Sequence, residues 1–284
     1  MSIISTLIKK RTPVAEEEAG EKEMSFLDHL EELRWHLLRT AGVIVIFAVG
    51  LFIQIPWLLH SVILGPFNAE FPTHKFLCGL QKSLCFDKID VQLIAIDPYE
   101  QFVKSITISL IGGFVLAFPY FIWEMWRFIK PGLHPAERKG MGGSVLIISL
   151  LFFLGTAFAY YVIAPFSVTF LAGYKLAPEI ANQWKIGDVI SMIIQISVGG
   201  GIVFQMPVLA YFLSRIGILT PAFMRQYRRH AIVVLLVVAA LITPPDWISQ
   251  ILIFLPLQLL YEISIRISGV AMRQRERDIA KALA

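Results

Sequence analysis

Charged residues are scarce in this sequence: Asp, Glu, Lys and Arg make up 16% of its 284 residues, against 56% hydrophobic ones. A water-facing surface needs about 25% charge across a chain, so a soluble domain of this size is excluded. Cysteine is nearly absent too, with two in the whole chain, which excludes a disulfide-dense secreted scaffold. The high apolar content likewise excludes disorder and a collagen-like fibre. With a mean hydropathy of +0.68, the chain belongs in a bilayer.

Six apolar runs are read as membrane spans: 37–59, 102–126, 142–166, 189–213, 231–242 and 248–265. The first four reach the length of about 20 residues that a crossing helix needs. The last two are short and are separated by Thr243-Pro244-Pro245-Asp246-Trp247. A Pro-Pro-Asp stop signal favours two abbreviated spans over one re-entrant hairpin. As a helix, the 231–242 run covers only about 18 Å, so local bilayer thinning or water entry is expected there. With six spans both termini share one side, which carries nineteen of the 25 lysines and arginines, against six on the other. The positive-inside rule makes that side cytoplasmic. Basic residues here report topology, and none of their runs is interleaved with aromatics in the manner of a nucleic-acid reader.

The expected fold class is therefore an all-α membrane protein with six transmembrane helices and both termini inside the cell. Residues 1–24, which include Glu16-Glu17-Glu18, read as a disordered acidic cytoplasmic tail; 25–267 form the six-span domain; 268–284 form a basic cytoplasmic tail. No cleavable signal peptide is expected, because residues 1–36 are polar and the first apolar run is too long for one. Prolines 119, 165, 207 and 256 fall inside or at the ends of spans. Proline removes a backbone hydrogen bond and bends a helix, so a concave, cup-like assembly is expected rather than an upright bundle. Cys78 and Cys85 lie in the long external loop 60–101. They close a disulfide in an oxidising compartment or remain two thiols.

The interior is also poor in chemistry. Runs 142–166, 189–213 and 231–242 hold no Asp, Glu, Lys, Arg or His, and Arg39, Lys104, Glu124 and Glu262 lie near the ends of the others. Ion pathways need ionisable groups at depth, so a transporter with a central ion site is disfavoured. No zinc-hydrolase motif, in-span Ser–His pair or deep pair of aspartates is present, and neither a cofactor nor a metal is expected. Gln205 is the main polar residue at depth; an amide in hydrocarbon ties helices together or contacts something passing.

Acidic and aromatic residues crowd instead beside the cytoplasmic ends of the spans. In Phe26-Leu27-Asp28-His29-Leu30-Glu31-Glu32-Leu33-Arg34-Trp35-His36-Leu37, apolar residues recur every three or four positions, an amphipathic helix feeding the first span. On its own this is a solvated interfacial helix in which Glu31 or Glu32 pairs with Arg34. In Trp123-Glu124-Met125-Trp126-Arg127-Phe128-Ile129-Lys130-Pro131-Gly132-Leu133-His134-Pro135-Ala136-Glu137-Arg138, Pro131-Gly132 turns the chain and Glu137 stands on a short loop.

Together with Thr243-Pro244-Pro245-Asp246, followed by Ser249-Gln250 and the Pro256…Leu260-Tyr261-Glu262 stretch, these segments resemble the TatC subunit family of the twin-arginine protein translocase. The resemblance runs from about Phe26 to Ile267 and rests on four motifs in order. It implies a receptor for signal peptides with adjacent arginines, working with TatA- and TatB-type single-span subunits and with further copies of itself in the cytoplasmic (inner) membrane. It implies that Glu32 and Glu137 clamp those arginines, that Phe128 and Leu133 line the adjoining surface, and that Arg34 orients the acidic helix or the loop. Arginine suits such a clamp because its planar guanidinium donates two hydrogen bonds at fixed geometry. The resemblance also implies that the proton-motive force drives export through the partner subunits.

The sequence departs from the family pattern in several places. Gln205 stands where glutamate is common, keeping hydrogen bonding but not titration. Trp123-Glu124 replaces a frequent Tyr-Gln pair and adds a carboxylate, Glu124, near the clamp. Trp35-His36 replaces a basic pair, which puts local salt bridging in doubt. Pro66 matches a family proline that shapes the external loop, and that loop is longer than expected. A multi-pass small-solute or ion transporter is the alternative reading, and a purely structural assembly factor a third.

Overall fold

The structure is a computed structural model, and it describes residues 26–80, 91–130, 143–177, 179, 182–244 and 246–283. Apolar runs with no water to bond their backbones must satisfy every N–H and C=O internally, and helices do so within one segment. The order is α1 (Phe26–Ile53), α2 (Pro72–Leu80), β1 (Gln92–Ile94), α3 (Glu100–Ile129), α4 (Ser144–Phe158), α5 (Ala164–Gly173), β2 (Gln183–Lys185), α6 (Ile186–Val203), α7 (Met206–Arg215), α8 (Pro221–Gln226), α9 (Arg228–Ile242) and α10 (Trp247–Leu283). Among the described residues, five stretches are long and apolar enough to cross a membrane: Glu31–Ile53, Glu100–Ile129, Ser144–Gly173, Ile186–Arg215 and Trp247–Ala280. The short run at 231–242 lies in α9, a helix of 15 residues.

The last run differs from its expected bounds. Residues 248–265 are only the first half of α10, a helix of 37 residues that continues through the basic tail. Beyond 267 the apolar pattern fades, but Arg, Glu, Ala, Lys and Met are all strong helix formers. Tail contacts reinforce it: Arg215 on α7 bonds Asp278 at 2.9 Å, and Tyr211 donates to Gln274 at 3.3 Å.

The prolines act in two ways. Pro207 sits in the first turn of α7, where a missing N–H costs nothing; Pro165 follows the π turn inside the continuous Ser144–Gly173 stretch, and the Thr73 hydroxyl donates to the Tyr161 carbonyl four residues before it. Pro165 and Pro207 each follow an irregular step: a π turn at Ala159–Ile163 and a non-helical turn at Phe204-Gln205. Pro119 and Pro256 lie inside α3 and α10 without ending them.

Helices meet closely where glycine allows it. A Cβ on Gly113 of α3 would stand 2.8 Å from both Ala48 N and Ile44 O of α1. Gly155 of α4 and Gly200 of α6 face each other in the same way. Ala159, Ile163, Val168, Ile193, Ile196, Ala239 and Leu257 form the centre of the core. Serines tie neighbours together, as small polar residues do in membranes: Ser167 to Ser249 at 2.5 Å, and Ser214 to Ser268 at 2.7 Å. Helices α1, α3, α4 and α6 border an open concavity of about 540 Å³, lined by Leu51, Ile108, Val115, Thr156, Tyr160 and Ile193.

The rim at which α1 begins is called proximal below, and the opposite one distal. The distal side carries order that the sequence did not announce. Strands β1 and β2 pair in parallel, with Gln92 opposite Gln183 and Ile94 opposite Lys185. Glu100 accepts from the Gly187 amide at 3.1 Å, and Lys104 donates to Ser191 at 2.6 Å. Pro66 is buried in the 3-10 turn Gly65–Phe67, and Phe67 meets Trp184 edge-on at 5.7 Å. Cys78 is disulfide-bonded; Cys85, the other cysteine of the sequence, lies outside the described residues. Asp246 begins α10, its Oδ1 accepting from the Ser249 amide at 2.7 Å, an N-cap that satisfies one of the free donors of the first turn.

Candidate functional site

Helical spacing builds the site. Glu32, His36 and Thr40 are four apart, so they stack on one face of α1. Tyr120 and Glu124, with Arg127 and Phe128 one turn further, do the same on α3. The tight α1–α3 contact at Gly113 brings these two polar stripes together near the proximal rim.

Glu124 is the centre. Its side chain is 1% exposed, and a lone carboxylate there would be very costly. Three groups answer it. The Nδ1–H of His36, 88 residues away in sequence, donates to Oε2. The Tyr120 hydroxyl donates to Oε1 at 2.9 Å, and Arg127 lies 3.6 Å from the same oxygen. His36 is itself buried; Phe128 presents its ring at a 65° angle, 6.2 Å between centroids. Thr40 donates to the His36 carbonyl at 2.9 Å. Arg127 also stands over the Trp123 ring at 5.0 Å.

The other ring nitrogen of His36, Nε2, lies 3.9 Å from Glu32 Oε1. Glu32 thus faces His36, one turn on, rather than Arg34, which is exposed. The Glu32 side chain is 39% exposed, yet its Oε2 is enclosed and has no hydrogen-bond partner among the described residues. An enclosed carboxylate oxygen without a donor leaves bonding capacity for an incoming cation.

Among the anticipated residues, the structure brings together Glu32, Glu124 and Phe128. Glu124 does not present its carboxylate outward, because both oxygens are occupied inside the protein. Glu137, Leu133 and Pro131 lie outside the described residues. Gln205 stands apart, at the break between α6 and α7: its Nε2 donates to the Ile148 carbonyl of α4 at 3.2 Å, while its buried Oε1 has no partner. His36 and Tyr120 were not anticipated as site residues. The available signal was spacing: each stands four residues from an anticipated glutamate on its own helix.

Comparison with known proteins identifies the family. The family model described as Sec-independent protein translocase protein (TatC) matches residues 28–256. The TatC protein of Blattabacterium sp. subsp. Periplaneta americana is 33% identical over 260 residues, covering 89% of this chain and 98% of its own. TatCy of Bacillus subtilis is 33% identical over 267 residues, covering 91% of this chain and 94% of its own. A crystal structure described as the twin-arginine translocase receptor TatC superposes with a TM-score of 0.68 at 32% identity, covering 86% of this chain and 99% of that one. The chain belongs to the TatC family and is a membrane-embedded component of the twin-arginine, Sec-independent protein translocase.

Proposed function

We propose that this protein is the signal-peptide receptor and membrane core of its translocase, binding peptides with two adjacent arginines before folded proteins are exported. In this reading the proximal rim is cytoplasmic, both termini lie inside, and the membrane is the cytoplasmic (inner) one. The excess of basic residues on that side supports the orientation.

The observation that carries the reading is Glu32. Its carboxylate stands at the proximal rim, 39% exposed, with one enclosed oxygen that nothing among the described residues satisfies. A guanidinium fits that vacant acceptor, because it keeps its charge at every physiological pH and donates in a fixed plane. Glu32 takes one arginine of the pair and Glu137 the other. Phe128 and Leu133 line the adjoining surface, and Arg34 orients the acidic helix or the loop. The apolar part of the signal peptide lies along the concavity between α1, α3, α4 and α6, whose lining is almost wholly apolar. Gln205 gives a polar contact at depth for the peptide or for a partner. TatA- and TatB-type single-span subunits and further copies of this chain complete the assembly.

Site-specific crosslinking of a twin-arginine peptide to the proximal rim tests this directly, with a twin-lysine peptide as control. Glu32→Ala and Glu137→Ala each remove a charge-assisted contact and weaken binding by about 1.5–3 kcal/mol. Wild-type binding in both variants, or equal crosslinking of the twin-lysine peptide, overturns the clamp.

A further inference from the structure

His36 and Glu124, 88 residues apart in the sequence, are direct partners in the structure. From that contact we infer that they form a positioning device for Glu32: buried Glu124 aims His36, and His36 fixes the carboxylate that receives the peptide's arginine. The inference rests on the receptor reading above.

The geometry runs in one direction. Glu124 is locked from α3 by Tyr120 at 2.9 Å and Arg127 at 3.6 Å, so it is a fixed acceptor. By taking Nδ1–H it sets the plane of the His36 ring, as a carboxylate behind a histidine commonly does. The opposite nitrogen, Nε2, then points along α1 toward Glu32 Oε1 at 3.9 Å. At that distance the ring edge is in contact with Glu32 rather than hydrogen-bonded to it, and a ring fixed in one plane limits the rotamers open to the Glu32 side chain. Glu32 Oε1 is thereby kept beside the ring, while the enclosed Oε2 has no hydrogen-bond partner among the described residues. Phe128, packed on the same ring, links this arrangement to the surface beside the clamp. A carboxylate fixed in one rotamer discriminates between a planar guanidinium and a freely rotating ammonium better than a mobile one does.

A double-mutant cycle on the full-length protein in detergent or nanodiscs tests this, with twin-arginine and twin-lysine peptides titrated against each variant. Glu124→Gln should weaken twin-arginine binding by about five- to tenfold, within the usual coupling between contacting residues, and narrow the preference over twin-lysine. In a Glu32→Ala background the same change should do nothing further, because the residue it acts through is gone. His36→Gln runs the identical cycle and carries the test should Glu124→Gln not fold, as judged by thermal unfolding. Equal losses in both backgrounds mean that the pair only supports α1–α3 packing, which overturns the inference; so does wild-type binding in both variants. Glu32→Ala binding like wild type would instead sink the receptor reading's use of Glu32, so the two failures read differently.

Discussion

His74 lies in α2, on the distal side, almost wholly buried beside Phe71. Burial there holds its imidazole below the ordinary pKa, because the charged form loses hydration. The unfolded chain therefore binds a proton that the folded chain disfavours, and stability rises with pH through the imidazole range. The contribution is complete above the ordinary imidazole pKa and is lost as the pH falls through the lower, folded value. Thermal midpoints measured from neutral to mildly acidic buffer should decline for the wild type, and His74→Asn should flatten that decline; an unchanged slope means that other groups set it. Asp246 gives a second single-residue prediction. Asp246→Ala removes the cap of α10 and should cost about 1 kcal/mol, whereas Asp246→Asn should retain most of it. Chemical unfolding of the detergent-solubilised protein separates the two variants. At this scale the break at Pro244-Pro245-Asp246 was legible as a stop between two helices, while the capping role of Asp246 was not read from it. The partnership of His36 with Glu124 was not legible, because 88 residues separate them and only the packing of α1 on α3 makes them neighbours.

The α1–α3 seam is the element on which the site depends. Gly113 allows the two backbones to touch, and a methyl added there meets the α1 backbone rather than a movable side chain. Gly113→Ala should therefore cost about 1–3 kcal/mol by overpacking, seen as a lower thermal midpoint, and should weaken twin-arginine binding by separating His36 from Glu124. Gly143→Ala, where nothing lies within 4 Å of the added methyl, is the matched control. The helices themselves were legible because hydrocarbon demands long uninterrupted apolar runs. Two elements were hidden for different reasons. The strands at Gln92–Ile94 and Gln183–Lys185 are three residues each, too short for an alternating pattern to register. The second half of α10 lost its apolar signature while keeping helix-forming residues, so hydropathy ended the span where the helix did not end.

Across the whole molecule, thickness is uneven. Helix α9, with 15 residues, spans about 22 Å, against a hydrocarbon core of ~30 Å, while α3 and α10 run far longer. Such mismatch draws the bilayer thinner around the short element. Reconstitution into short-chain lipids should raise the thermal midpoint relative to long-chain lipids, and an α9 extended by one apolar turn should reverse that ranking. Indifference to chain length would mean that α9 is shielded from lipid. The C-terminal end behaves in the opposite sense. Because Arg215 and Tyr211 bond Asp278 and Gln274, the basic end is tied to α7 at two points. A fluorophore or spin label attached there follows the tilt of the whole slab, so distances measured from it register rocking of the body rather than the wandering of a loose tether.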